Sequence, residues 1–466
     1  MKEIFVTEQE KEEQRKIALS LRKVLNGRKA CVITFGCQQN EADSEKIRGI
    51  LEECGCETVE NSDDASLIII NTCAIREHAE IRALSEAGQF KGRKEREKSL
   101  LIGLCGCMAQ QEGRRNQIKN SYPYVDFVFG TDMIYRIPEI IKKAIDCKKT
   151  EKKRVSSISD LPHADFGNIA EGLPVKRESN YKAWVPAMNG CNNFCTYCVV
   201  PYVRGRERSR NYEDVVAEVT DLVNRGYKDI TLLGQNVNSY SGGCDFAHLL
   251  DKCCNIGSSE YRVRFMTSHP KDASSELIKV IAENERAAKH FHLPVQSGST
   301  KILTAMNRRY TREQYIEKAL EIKETIKDVA LTTDIICGFP GETDEDFEQT
   351  VSLVEKVKFD MIFTFIYSKR PNTPAERMEN QIPREISSKR FSRLSDTEND
   401  IAQDINNGFI GKTIRVLSDG INKNSVPCGR STGNKIVTFD KSVKEGTFCD
   451  VLIDSAGNYS LSGKLK

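Results

Sequence analysis

Tyr181–Tyr202, YKAWVPAMNGCNNFCTYCVVPY, is the stretch on which the reading of this 466-residue chain turns. It holds a short apolar run, then Cys191, Cys195 and Cys198 at C-x3-C-x2-C spacing on one loop. Thiolates are soft ligands suited to zinc or iron–sulfur clusters. A structural zinc site would want a fourth Cys or His close by, and none follows here. Three ligands leave one metal position open, where a small molecule can bind.

The sequence after this loop repeats apolar runs with helical stretches between most of them. The runs are DITLLGQ, YRVRFMTS, HFHLPVQ, ALTTDIICG and MIFTFIYS. With KAWVPAM they make six strand–helix units in tandem, which fits an open (β/α) barrel. A barrel keeps its active site at the carboxyl ends of its strands, where the cysteine loop sits. Upstream, the runs CVITFGC, SLIIINTC and SLLIGLCGC alternate with helical sequence and predict a parallel α/β sheet. Cys37, Cys73 and Cys107 each fall just past a predicted strand end, and parallel strands bring such ends to one edge. From the pattern alone these are either cluster ligands or buried apolar-like thiols, and Cys105 competes with Cys107. Cys31, Cys54 and Cys56 read as structural.

The expected organisation is a polar N-terminal extension over 1–28, helical in one reading, and an α/β domain over 29–147. A linker over 148–180, a barrel over 181–405 and a terminal domain over 406–466 follow. After Pro383 a long polar helix is expected to about Asn406, and the remainder shows short strands between Gly, Asn and Ser turns, as in a small antiparallel β-barrel. The whole chain carries a net charge of +2, but residues 412–466 hold nine Lys/Arg against five Asp/Glu, so +4 lies in that tail. Seventeen cysteines in a chain without an apolar signal-like start or an 18-residue apolar run point to metal chemistry in a reducing, cytoplasmic setting. No membrane contact is expected.

The loop GCNNFCTYC, with Tyr197 before its third cysteine, resembles the signature of the radical S-adenosylmethionine (SAM) superfamily. The segments TFGCQQN, NTCAIREHAE and GCMAQ match the N-terminal motifs of the methylthiotransferases within it. The resemblance runs from about Cys31 to the end, and it aligns the family's third cysteine with Cys107. It implies a 4Fe–4S cluster on Cys191, Cys195 and Cys198 that binds SAM and yields a 5′-deoxyadenosyl radical. It also implies a second, auxiliary 4Fe–4S cluster on Cys37, Cys73 and Cys107 that supplies or carries sulfur. Tyr197, Gly234, Gln235, Asn236, His292, Gln296, Ser297, Asp334 and Gly338 stand where the superfamily contacts SAM. An aromatic C–H bond offers no acidic proton, so no general base is expected.

Within the family, TFGCQQN, NTCAIRE, LLGQNVNSY and HLPVQSGS look most like the enzymes acting on isopentenyl-adenosine in tRNA. Arg76 and Gln235–Asn236 weigh most in that choice, while Gln39 replaces the family's usual Met. The alternatives are threonylcarbamoyl-adenosine in tRNA, an aspartate of a ribosomal protein, or a non-catalytic RNA-binding redox sensor. The terminal barrel resembles the RNA-binding TRAM module, and its charge suits phosphates. Arg204, Arg206, Arg208 and Arg210 alternate after the loop, and in an extended stretch would face a tRNA backbone together. The expected partners are the tRNA anticodon stem-loop, an electron donor such as a flavodoxin or ferredoxin, and a sulfur donor.

Overall fold

The computed structural model describes residues 5–74, 77–149, 155–157 and 169–466. The chain divides into two compact units. The first comprises Met1–Glu178 with Asn189–Asn192 and Val199–Arg208; the second comprises Ser179–Met188, Asn193–Cys198 and Ser209–Lys466.

The first unit is built on a six-stranded parallel sheet. Its strands are β1 (Lys29–Phe35), β2 (Glu57–Thr58), β3 (Leu67–Thr72), β4 (Leu101–Gly106), β5 (Phe127–Phe129) and β6 (Val155–Ser157), in spatial order 2-1-3-4-5-6. All residues of β3 and β4 are buried, as unbroken Ile/Leu runs require when both faces of a parallel sheet are covered. The register pairs Phe35 with Thr72 and Thr72 with Gly106, so the three central strands end level. That is why chain positions 37, 73 and 107 arrive at one edge.

Helix α1 (Glu8–Leu25) occupies most of the expected N-terminal extension over 1–28 and packs onto the first unit. It opens with a Thr7–Glu10 capping box and buries Ala18, Leu21 and Leu25 in the core beneath β1 and β3. Described parts of the expected linker 148–180 are also packed. β6 lies in the sheet, Gly49 sits against the backbone of Pro174, and Arg177 pairs with Glu45 at 2.8 Å. Residues 150–154 and 158–168 lie outside the described residues, as does Arg76.

The second unit contains all six expected barrel strands: β7 (Lys182–Pro186), β8 (Asp229–Leu233), β9 (Arg262–Phe265), β10 (His290–His292), β11 (Ala330–Cys337) and β12 (Met361–Ile366). They form two three-stranded parallel sheets, 9-8-7 and 10-11-12, joined by a bridge between Val263 and Ala287. The result is an open arc in chain order. Alternate residues such as Val263, Phe265, Phe291, Leu331 and Ile335 point outward to one large apolar core. The others, including His292, Asp334 and Phe363, line the opposite face.

A helix over Arg384–Asn407 leads to a closed five-stranded barrel of β13 (Thr413–Ile421), β14 (Pro427–Ser431), β15 (Ile436–Phe439), β16 (Phe448–Ala456) and β17 (Ser460–Leu465). This barrel belongs to the same compact unit as the arc. Arg264 joins them, pairing with Asp229 at 2.9 Å and donating to the carbonyls of Ser431 and Thr432 at 3.0 Å each. Among the described residues, no helix is long and apolar enough to cross a membrane.

Candidate functional site

In the first unit the level strand ends set out three cysteines. Gly36 follows β1 at φ 150°, and a side chain there would meet Cys73 Cβ at 2.5 Å. Cys37 caps the helix Gln38–Glu53 at its N-terminus, and its thiol donates to Asn40 Oδ1 at 3.3 Å. A hydrogen bond with Cys73 is the main reason its pKa is held down, to about 6. Burial opposes that shift, while the Arg204 guanidinium and the backbone N–H groups of Asn40 and Gln39 assist it. Cys73 is fixed through its own N–H, which donates to Phe35 O at 2.9 Å. Cys107 opens the short helix Cys107–Gln110 and packs with Ala74, Val199 and Val203. Burial pushes its thiol up, and Arg204 pulls it back.

Polar side chains of the flanking motifs form a network around these cysteines. Asn40 Nδ2 donates to Asn71 Oδ1 at 3.2 Å, and Asn71 Nδ2 donates to Asn40 O and Ser44 Oγ at 2.9 Å each. The Asn of QQN and the Asn of NTC therefore brace each other. Cys105, by contrast, faces the apolar core and has its pKa pushed far up by burial. Cys31, Cys54 and Cys56 are buried with raised pKa values, as their structural reading expects.

The loop cysteines are divided between the units. Cys191 lies in the first, where its N–H donates to Gly205 O at 3.2 Å. Gly190 before it has φ 80°, and a side chain would strike Arg206 O at 2.0 Å. Cys195 and Cys198 lie in the second unit. Asn307 Nδ2 donates to the carbonyls of Asn193 and Phe194 at 3.1 Å, and Thr196 bonds through N–H to Met306 O at 3.1 Å. Arg308, which the sequence reading missed, is buried with Nη1 3.6 Å from Cys195 Sγ. Its other nitrogens donate to Tyr310 Oη and Pro294 O. Tyr197 packs against Ile302, Met306, Phe339 and Ala375.

Of the expected SAM-contacting positions, His292, Gln296 and Asp334 come together. His292 Nδ1 lies 2.9 Å from Thr332 Oγ1 and Nε2 lies 3.6 Å from Asp334 Oδ1. Gln296 adopts φ 74° and its N–H donates to Asp334 O. Ser297 is fully buried and accepts from Ser299 N–H. Gly234 sits where a Cβ would meet Met188 Cγ at 2.6 Å, and Gln235 is half-buried beside it. Asn236 donates to Asp272 and Ser239, while its buried Oδ1 has no partner among the described residues. Gly338 has φ 76° and abuts Ser387. On the same strand face as Asp334, Phe363 and Phe365 stay exposed, and Phe363 meets His292 edge-on at 5.9 Å.

The four arginines do not share one extended face. Residues Val200–Arg204 are helical and Gly205 turns at φ 75°. Arg204 is buried, with Nη2 2.8 Å from Asp43 Oδ2 and Nε 3.2 Å from Cys107 Sγ. Arg210 is buried against Glu218 and Pro186 O. Arg208 is half-buried and donates to Arg204 O, which leaves Arg206 as the exposed member. A guanidinium buried on a carboxylate is not presented to phosphate, so Arg204 and Arg210 are corrected to internal roles.

Among the described residues, no three His, Cys, Asp or Glu side chains stand close enough to hold a single metal ion. A multi-iron cluster spreads its thiolates farther apart than one ion does, so this bears on mononuclear binding alone. Three sulfurs at one sheet edge, one with a depressed pKa and one beside a fixed cation, form a donor set that fits an iron–sulfur group.

The description of the radical SAM superfamily matches residues 185–354, and that of the uncharacterised family UPF0004 matches residues 29–130. A tRNA-2-methylthio-N(6)-dimethylallyladenosine synthase of Acetivibrio thermocellus is 46% identical over 479 residues, covering 100% of this chain and 98% of the relative. A synthase of the same name from Clostridium botulinum is 48% identical, covering 93% and 94%. The chain belongs to this radical SAM methylthiotransferase family. Radical SAM chemistry brings SAM and a 4Fe–4S cluster with it. Among solved structures, the radical SAM methyltransferase TsrM of Kitasatospora setae aligns with a TM-score of 0.54 at 13% identity, covering 75% of each chain. At that identity the likeness is one of fold.

Proposed function

We propose that this chain adds a methylthio group to C2 of isopentenyl-adenosine next to the anticodon of tRNA. The reading rests on one combined observation. Full-length relatives carry that activity in their names, and the first unit brings Cys37, Cys73 and Cys107 to one edge of its sheet. Cys191, Cys195 and Cys198 would hold the SAM-binding cluster, and Cys37, Cys73 and Cys107 an auxiliary one. When bound, these groups and SAM supply the radical, the sulfur and the methyl group.

The chain's own residues supply position and charge. Arg308 places a permanent cation on Cys195, and Asn307 and Thr196 hold the loop backbone in shape. His292, Gln296 and Asp334 offer a polar cluster on the inner face of the arc for the polar parts of SAM. Phe363 and Phe365 add an apolar surface beside it, suited to a dimethylallyl group and poorly suited to a threonylcarbamoyl one. The terminal barrel's +4 charge and Arg206 suit the phosphates of an anticodon stem-loop. A flavodoxin or ferredoxin would deliver electrons, and a separate donor would replenish sulfur in the cytoplasm.

Anaerobic reconstitution with iron and sulfide, followed by reductant, SAM and either isopentenylated or threonylcarbamoylated tRNA in parallel reactions, tests this reading. Mass spectrometry of the nucleosides is expected to show the methylthio product and 5′-deoxyadenosine, with both lost in Cys195→Ala. Deoxyadenosine without modified isopentenyl-adenosine, but with modified threonylcarbamoyl-adenosine, would replace the substrate. No deoxyadenosine from iron-loaded protein would refute the enzyme reading.

A further inference from the structure

Arg204 combines features that a simple ion pair does not need. Its side chain is buried, and it reaches in two directions within the first unit. Nη2 lies 2.8 Å from Asp43 Oδ2, on the helix that Cys37 caps. Nε donates to Cys107 Sγ at 3.2 Å. The backbone that carries it is fixed as well: Val199 and Val203 pack against Ala74 and Cys107, Thr131 Oγ1 donates to Val203 O, and Arg208 donates to Arg204 O.

Burying a guanidinium is costly unless it is paired, and Asp43 alone would meet that need. The second contact is to a sulfur. A neutral thiol is a weak acceptor, whereas a thiolate receiving a charged N–H makes a strong hydrogen bond. Asp43 and Arg204 cancel each other's charge, so the pair presents an aligned N–H donor to Cys107 at little net electrostatic cost. Arg308 makes the same kind of contact to Cys195 in the second unit, at 3.6 Å.

We propose that Arg204 is a positioning residue of the auxiliary iron–sulfur centre, orienting Cys107 and setting how readily the group held there takes an electron. The inference rests on the assignment of Cys37, Cys73 and Cys107 as ligands made above. An N–H bond to a ligand sulfur draws electron density from it, and although the ion pair is neutral overall, its positive pole is the end turned toward Cys107, which favours the more negative, reduced state. Both effects make reduction easier, in line with hydrogen bonds to sulfur as a lever on cluster potential. Asp43 holds the guanidinium in register with the sulfur and keeps the donor from turning away.

The test uses the full chain with Cys191, Cys195 and Cys198 replaced by Ala, so that only the first set can carry iron. Iron per chain is measured after anaerobic reconstitution, and the reduction equilibrium is followed by electron paramagnetic resonance. Arg204→Gln keeps an N–H but loses the charge; Arg204→Lys keeps the charge but loses the forked geometry. The expected result is a tenfold or larger shift toward the oxidised form in Arg204→Gln, about 59 mV for one electron. Arg204→Lys should recover part of it. If Arg204→Gln holds no iron, the Lys variant decides: a shift to the oxidised form supports the role, and an unchanged equilibrium overturns it. Full iron loading with an unchanged equilibrium in both variants would also overturn it, leaving Arg204 a structural staple. Absence of iron from the parent with Arg204 intact would instead refute the ligand assignment.

Discussion

Gly106→Ala is the sharpest perturbation the first cysteine set allows. Gly106 ends β4 directly before Cys107, at φ 93° and ψ −165°. That region is essentially restricted to glycine, and holding another residue there costs about 1–3 kcal/mol. Space is a second obstacle. A Cβ would lie 2.4 Å from Thr72 O and 2.4 Å from Asn71 Oδ1. Thr72 O is backbone of a central strand buried on both faces, and Asn71 is tied to Asn40 and Ser44, so neither yields readily. Overpacking of this kind costs about 1–3 kcal/mol, which makes roughly 2–6 kcal/mol together.

The end of β4 is the softer partner, so relaxation should displace Cys107. If only about 1.4 kcal/mol of the strain is expressed there, the first set holds iron tenfold less well. The assay is iron retention against a chelator in protein whose loop cysteines are Ala, with Gly113→Ala as control. Gly113 lies in the helix Glu112–Ser121 with no atom within 4 Å of a built Cβ, so that change should shift stability by less than about 1 kcal/mol, toward stabilisation. Wild-type iron retention in Gly106→Ala would refute the reasoning.

Four further outcomes are expected. Glu398 accepts the Ile362 N–H at 2.7 Å, and burial lifts its pKa from the ordinary 4.5 to about 7. The folded state keeps a proton that the unfolded chain releases, so stability falls as pH rises from 4.5 to 7, by at most about 3 kcal/mol. Glu398→Gln keeps the acceptor and should raise the urea midpoint at pH 8 but not at pH 4; an equal effect at both would contradict this. Arg210→Ala breaks a buried pair and should cost about 3 kcal/mol of stability. Arg206→Ala should lower the salt slope of tRNA binding by about one, and filter binding across a salt series measures it. Replacing both Phe363 and Phe365 by Ala should reduce discrimination between isopentenylated and unmodified stem-loops by roughly tenfold or more, since each lost apolar contact is worth about 1–3 kcal/mol. Unchanged relative affinities would exclude that face from substrate binding.

Strand identity was legible because β-branched and Leu-rich runs between helical stretches have few other readings, and all six barrel strands lie where the pattern put them. The convergence of Cys37, Cys73 and Cys107 was legible as a possibility only. It depends on strand register, which three separate segments do not specify until their ends are aligned. Helix was one reading of residues 1–28, but its packing onto the first domain was hidden by its charge, since its apolar stripe consists of little more than Ala18, Leu21 and Leu25. Arg204 was misassigned because alternation in sequence says nothing about burial. The cue available was local: it follows the apolar run Val199–Val203, which a side chain facing solvent and phosphate would not need. Arg308, in NRRY, carried no such cue, because its contact with Cys195 spans 113 positions of chain.

The level ending of β1, β3 and β4 also governs when the protein can be matured. Cys191, Cys195 and Cys198 are neighbours along the chain and are presented together as soon as that segment leaves the ribosome. The other three sulfurs meet only after three strands have paired in register, and Cys107 gains its guanidinium from a residue 97 positions later. Contacts of such long sequence separation form late in folding. The two cysteine sets therefore differ in what gathers them: the loop set is gathered by local sequence, and the strand-end set only by correct assembly of the first unit.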